Sequence, residues 1–276
     1  MQNGCLIQRF VVAVPARLAS SRLPDKVLAD IGGKSMLQRV LERCAQADGP
    51  AAVVLCTDSE HLRDLAEGWG FPVLMTAETC SSGSERIASV TDQLVALAWG
   101  EDAAEWDQAT RETRLKVTAV INVQGDQPFL DPGVVSAMAS EFVRSDPVPA
   151  VVTPVYQLKP ETIHNPAVVK TLLAHDGRAL YFSRSAIPHV RDVDPSAWHQ
   201  HTSYWGHVGM YGFRGDVLAV WDQLPTSPLE DLERLEQLRL IEAGYSIATF
   251  AVEGTSLSVD TPEQLAEARC LARATD

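Results

Sequence analysis

Three cations, Arg17, Arg22 and Lys26, fall within one short stretch from Pro15 to Lys26 that holds a single acid, Asp25. The whole chain carries a formal charge of −13, so this stretch reverses the sign of its surroundings. Arginine offers a planar fork and lysine a compact charge, and both match phosphate oxygens. Spacings of five and four residues let the three converge on one polyphosphate. They could equally be ordinary surface charges, and their position weighs against that reading. The stretch follows the apolar run Phe10–Val14, a predicted strand, and open α/β sheets bind ligands at the carboxyl ends of their strands.

Two carboxylates invite a second chemistry. Asp126 follows the apolar run Val117–Val123 in Gln124-Gly125-Asp126-Gln127-Pro128, beside a glycine that admits close approach of a ligand. Asp260 stands in Ser-Val-Asp-Thr-Pro-Glu. Aspartates at two strand ends can hold Mg²⁺ while leaving positions for water and phosphate. Asp260 has an alternative as the cap of the helix that Pro262 opens. The stretch Ser81-Ser82-Gly83-Ser84-Glu85-Arg86 likewise reads either as a capped helix start or as donors for a base or ribose.

Other chemistries lack their residues. Gly32-Gly33-Lys34-Ser35 looks like the end of a phosphate-binding P-loop, but that pattern needs glycine at position 28, which is Leu28. No G-x-G-x-x-G follows a strand, and no G-x-S-x-G or H-E-x-x-H occurs. His199 and His201 have no neighbouring ligands at zinc spacing and read as surface residues. The acidic balance excludes nucleic acid and anionic membranes as partners. Five cysteines without a C-x-x-C pair point to reduced thiols. With no export signal and no spanning segment, the expectation is a cytoplasmic protein with no membrane insertion.

The elements that must position these residues follow from hydrophobic period. Phe10–Val14, Ala51–Thr57, Val73–Thr76 and Val117–Val123 predict strands. Between them Ser35 opens a helix over Met36–Ala47, Ser59 one over Glu60–Trp69, and Ser84 one over Glu85–Trp99. That alternation implies βαβ units and a mostly parallel sheet. The polar stretch 99–114 reads as a surface excursion. Beyond it Val148–Val155, Val168–Leu173 and Arg178–Ser183 predict strands, then 185–204 a mobile or partner-contacting loop, and His207–Phe213 another strand. The helix Leu229–Ala243, the strand Ile247–Glu253 and the helix Pro262–Arg273 complete the pattern. The expectation is one α/β domain over 1–276, with a β-rich elaboration at about 150–215.

Taken together, PARLASSRLPDKVL, SSGSERIASV, NVQGDQP, NPAVVK, ALYFSRSAIP, HVGMYGFR, LERLEQLRL and VDTPEQL, in this order and over nearly the whole chain, resemble the cytidylyltransferases that activate 3-deoxy-manno-octulosonate (Kdo). The resemblance implies a Rossmann-like nucleotidyltransferase fold, and CTP and Kdo as partners. It implies Arg17, Arg22 and Lys26 at the triphosphate, with Arg17, Lys26 and Asp126 catalytic. Asp126 and Asp260 would hold Mg²⁺, and Ser82, Gly83, Ser84 and Arg86 would contact the nucleotide. Gln124, Arg184, His207, Tyr211, Glu236 and Gln237 would meet the sugar acid. A homodimer, with the β-rich elaboration contributing to its contact and to sugar binding, is also implied. The sugar's anomeric hydroxyl would attack the α-phosphorus of CTP and expel pyrophosphate, giving CMP-Kdo for lipopolysaccharide synthesis. Two departures are Gln127, where the family usually has Glu, and the extra polar residues at 99–114.

Overall fold

A computed structural model describes residues 6–19, 23–254 and 258–275. The chain divides into two compact units. One takes Met1–Val148, Gly212–Asp222 and Ser256–Asp276, the other Pro149–Tyr211 and Gln223–Thr255. The β-rich segment expected at about 150–215 falls mostly in the second, which also takes 223–255.

The first unit is built on parallel strands in the order Thr118–Asn122, Arg9–Ala16, Val53–Thr57, Val73–Met75. Val11, Val12, Ala13 and Val14 are all fully buried, as expected for a parallel strand covered on both faces. The helix Met36–Ala45 covers the sheet with Met36, Leu37, Val40, Leu41 and Cys44, the apolar stripe of a 3.6-residue repeat. Ser35 and Ser59 cap their helices as expected, accepting from the Gln38 and Leu62 amides. The α/β class with a mostly parallel sheet is borne out. Gly32 and Gly33, both with positive φ (61° and 76°), turn a short hairpin between Asp30–Ile31 and Lys34–Ser35. The second unit's strands run Trp205–His207, Lys170–Leu173, Arg178–Ser183, Ile247–Ala251, Val151–Gln157, and the last pairs back onto the first. The ring thereby closes without a free edge.

Several boundaries differ from expectation, each for a local reason. The helix expected over 85–99 is two, Gly83–Ala88 and Thr91–Trp99. It breaks where the Ser89 and Thr91 hydroxyls donate to the Arg86 and Ala88 carbonyls. The strand expected over 207–213 is also two, Trp205–His207 and Tyr211–Arg214. A tight turn, with the Met210 amide donating to the Val208 carbonyl at 2.7 Å, separates them. The helix expected over 229–243 breaks at Arg234, whose φ is 55°. The loop 185–204, expected to be mobile or partner-contacting, is packed around Trp198, with Tyr204, Leu158 and Ile163, and Tyr204 donates to the Pro188 carbonyl at 2.6 Å. The helix Pro132–Arg144 was not expected, although Asp131 before Pro132 is a recognisable helix start.

The polar stretch 99–114, expected as a surface excursion, carries a 3₁₀ turn over Ala103–Glu105 and the start of a helix, Gln108–Lys116, capped by Asp107. Arg114 binds Glu101 at 2.5 Å and lies 3.9 Å above the Trp99 ring, while Arg9 lies 4.6 Å from that ring's centre. The Trp99 indole donates to Thr118 at 2.8 Å. Among the described residues no helix is long and apolar enough to cross a membrane. Trp99→Leu keeps an apolar body but removes both cation–π contacts and the indole hydrogen bond. It should cost about 1–3 kcal/mol, read from a urea unfolding midpoint.

Candidate active site

The residue that organises the first unit's cleft is Lys26. Asp25 takes a left-handed backbone, φ 50°, which a short polar side chain tolerates, and turns the chain into a 3₁₀ turn over Lys26–Leu28. Val27 is buried beneath, and Lys26 projects its ammonium to Asp126 Oδ2 and Asp260 Oδ1, each at 2.8 Å. The two aspartates lie 134 residues apart in sequence and are joined through backbone: the Val259 amide donates to the Asp126 carbonyl at 2.9 Å. The helix Pro262–Thr275 holds that contact by packing Leu265, Ala268 and Ala272 with Ile31, Met36 and Val259.

The capping alternative for Asp260 is resolved by its neighbour. Thr261 Oγ1 accepts from the Gln264 amide at 3.3 Å, and the Gln264 side chain accepts from the Asp260 and Thr261 amides at 2.8 and 3.0 Å. This reciprocal box caps the helix, and the Asp260 carboxylate turns to Lys26. Burial by itself lowers the Lys26 pKa, but the charge of Asp126 and hydrogen bonds to both aspartates outweigh it and raise it. The pair of carboxylates therefore already converges on one cation. Hard oxygen donors at two chain segments, opening onto a cleft, fit Mg²⁺, which keeps water and phosphate among its ligands.

The cleft has a volume of about 250 Å³ and is lined by Arg17, Lys26, Ser82, Gly83, Arg86, Gln124, Asp126 and Asp260. Arg22 lies outside the described residues. Gly83 sits close to its neighbours: a Cβ there would stand 3.1 Å from Pro15 Cγ and 3.2 Å from Gln124 Oε1, so these side chains would have to give by a few tenths of an ångström. Ser82, rather than Ser84, caps the helix that starts at Gly83, accepting from the Glu85 amide at 3.1 Å. Ser84 does not line the cleft but is buried, with Asn122 Nδ2 at 3.5 Å. Arg86 is 3% exposed and is held by Asp58 at 2.8 Å and by the Thr76 hydroxyl. Asp58 and Asn122 were missed in the sequence, although each ends or follows a parallel strand. Gln127 is buried, and its Oε1 has no donor among the described residues. A glutamate there would bury a charge as well.

The remaining residues expected at the sugar belong to the second unit. His207 packs edge-on against Phe182, ring centres 4.9 Å apart, and 5.3 Å from Tyr211. Burial of its ring pushes its pKa down to about 3. The Tyr211 hydroxyl donates to Gln237 Oε1 at 2.8 Å. Burial, then the nearby charge of Glu236, raises the Tyr211 pKa, which keeps the phenol protonated. That bond orients the Gln237 amide, and its Nε2 is buried without an acceptor among the described residues. Arg184 directs Nε to the Glu233 carbonyl at 2.8 Å, and its terminal nitrogens lie 3.3 and 3.4 Å from the Pro166 and Arg234 carbonyls. The two longer bonds are the ones a carboxylate ligand would replace most readily.

A histidine that is neutral when folded and titrates normally when unfolded makes stability depend on pH. Between about pH 6.5 and 3 the unfolded chain binds the extra proton, so stability falls as pH falls through that window. Urea unfolding at pH 7 and pH 5 should show a loss up to about 2 kcal/mol larger in the native chain than in His207→Gln. Equal losses in the two proteins would contradict a neutral His207.

The family model described as "Cytidylyltransferase" matches residues 11–247. A "3-deoxy-manno-octulosonate cytidylyltransferase" of Porphyromonas gingivalis is 38% identical over 260 residues, covering 94% of each chain. One of Syntrophotalea carbinolica is 39% identical, covering 93% of this chain and 95% of the relative. A solved structure of CMP:2-keto-3-deoxy-manno-octonic acid synthetase complexed with CTP superposes with a TM-score of 0.83 at 36% identity, covering 98% of this chain and all of that one. With a parallel sheet whose strand ends carry the cleft, and with likeness along nearly its whole length, the chain belongs to the 3-deoxy-manno-octulosonate cytidylyltransferase family.

Proposed function

We propose that this chain transfers the cytidylyl group of CTP to Kdo, releasing pyrophosphate and forming CMP-Kdo for lipopolysaccharide synthesis. The observation that carries this reading is the convergence of Asp126 and Asp260 on Lys26 in an open polar cleft. Such a site can take a polyphosphate and its counter-ion. The anomeric hydroxyl attacks the α-phosphorus, the bond from that phosphorus to the bridging oxygen breaks, and pyrophosphate leaves with the electron pair. Arg17, Arg22 and Lys26 neutralise the triphosphate, and Asp126 and Asp260 hold Mg²⁺. When bound, that ion adds charge stabilisation on phosphate oxygens and favours ionisation of the attacking hydroxyl. Ser82, Gly83, Ser84 and Arg86 belong to the nucleotide side by family likeness, Ser84 through Asn122 rather than directly.

For the sugar acid, the unmatched Gln237 amide supplies a donor, Arg184 suits the carboxylate, and His207, Tyr211, Glu236 and Gln124 suit hydroxyls. We infer a cytoplasmic homodimer built through the second unit, where Leu180 and Leu232 are exposed. A light-scattering mass equal to one chain would refute the dimer.

Pyrophosphate release should require CTP, Mg²⁺ and Kdo, and a sialic acid should not replace Kdo. Release with the sialic acid alone would reassign the acceptor. Asp126→Asn should lower kcat by about 10²–10³-fold with little change in unfolding midpoint. Lys26→Met leaves two carboxylates facing each other, so millimolar Mg²⁺ should raise its melting temperature more than it raises that of the native chain.

A further inference from the structure

The turn that separates Trp205–His207 from Tyr211–Arg214 is organised by one fully buried hydroxyl, that of Thr153 on the strand Val151–Gln157. Its Oγ1 lies 2.7 Å from the Met210 carbonyl, 3.4 Å from the Val208 carbonyl and 2.9 Å from His207 Nε2. A threonine hydroxyl has one proton to give and lone pairs to accept with. Neither carbonyl can donate, and at 2.7 Å the Met210 oxygen would otherwise face the hydroxyl oxygen lone pair to lone pair. The proton therefore goes to Met210, and the contact with Nε2 persists only if Nε2 carries a hydrogen.

We propose that Thr153 is a positioning residue for the acceptor sugar, holding His207 in the tautomer protonated on Nε2 so that Nδ1 accepts a hydrogen bond from a substrate hydroxyl. The doubly protonated ring is excluded at neutral pH because burial holds the His207 pKa at about 3. Phe182 and Tyr211 flank the ring and supply no counter-charge to favour the imidazolium. Sugar hydroxyls are donors as well as acceptors, and the Gln237 Nε2 supplies a donor only. A ring with Nδ1 unprotonated adds an uncharged acceptor to the Glu236 carboxylate already assigned to those hydroxyls. The substrate part of this inference rests on the sugar-acid reading given above, while the tautomer rests on geometry alone.

The test combines ring nitrogen shifts with kinetics. In the native chain, long-range ¹H–¹⁵N spectra of His207 should show Nε2 protonated and Nδ1 with a free lone pair at pH 7. The reverse assignment would overturn the proposal. Thr153→Val should mix the tautomers and raise KM for Kdo about ten-fold, with KM for CTP unchanged. Thr153→Ser keeps the hydroxyl and should stay within about two-fold of the native value. Because Thr153→Val also strips the Met210 carbonyl of its donor, a misfolded valine variant would leave the decision to the native spectrum and to the serine variant, whose loss of sugar affinity would count against the proposal. If the native chain does not turn over Kdo at all, the function reading fails and the substrate part fails with it, whereas the ring shifts still decide the tautomer.

Discussion

Two ionised carboxylates in a half-buried cleft repel each other unless a cation lies between them, and much of the first unit can be understood from that constraint. Lys26 meets it with two bonds of 2.8 Å. Each supporting feature then has a purpose. The left-handed Asp25 aims the lysine, Thr261 with Gln264 relieves Asp260 of capping, and the bond from Val259 to Asp126 keeps the two segments in register. The same arrangement suits exchange, because an ammonium that balances two aspartates can be displaced toward phosphate when another cation takes its place. A permanent buried ion pair would lack that option.

The second unit manages buried polarity differently. Lys170 is fully buried, yet its ammonium donates to the carbonyls of Asn165 at 2.9 Å, Val168 at 2.6 Å and Arg184. Burial, then the neighbouring charge of Arg184, lowers its pKa. Glu233 accepts from the Ser183 hydroxyl and the Arg184 amide, so the backbone that carries Arg184 is tied from both sides. The helix expected over 229–243 ends where Arg234 turns left-handed, φ 55°, and the Glu233 carbonyl left open there accepts from the Arg184 guanidinium, 49 residues away in sequence.

Cation-bearing and acidic positions stood out in the sequence because their chemistry conflicts with their surroundings: a basic stretch in an acidic chain, and carboxylates straight after apolar runs. Arg17, Lys26, Gln124, Asp126 and Asp260 accordingly meet at one cleft. Ser84 misled, since Ser82 and Ser84 are both plausible caps, and the hydrogen bond from the Glu85 amide to Ser82 Oγ shows which one caps the helix. Asp58 and Asn122 escaped notice because their importance is relational. One holds Arg86, and the other lies between Gln124 and Ser84.

By itself, then, the sequence determined the α/β class, the strands of the parallel sheet, the two helix caps at Ser35 and Ser59, and the residue types at the cleft. Those depend on period-two and period-3.6 patterns and on local hydrogen bonding, which span a few residues. Only the tertiary structure decided that both aspartates face Lys26, that loop 185–204 packs on Trp198, that the second unit's strands close into a ring, and which nitrogen of His207 lies against Thr153. Each of these is settled by atoms distant in sequence, brought together by packing and by the need to give every buried donor and acceptor a partner.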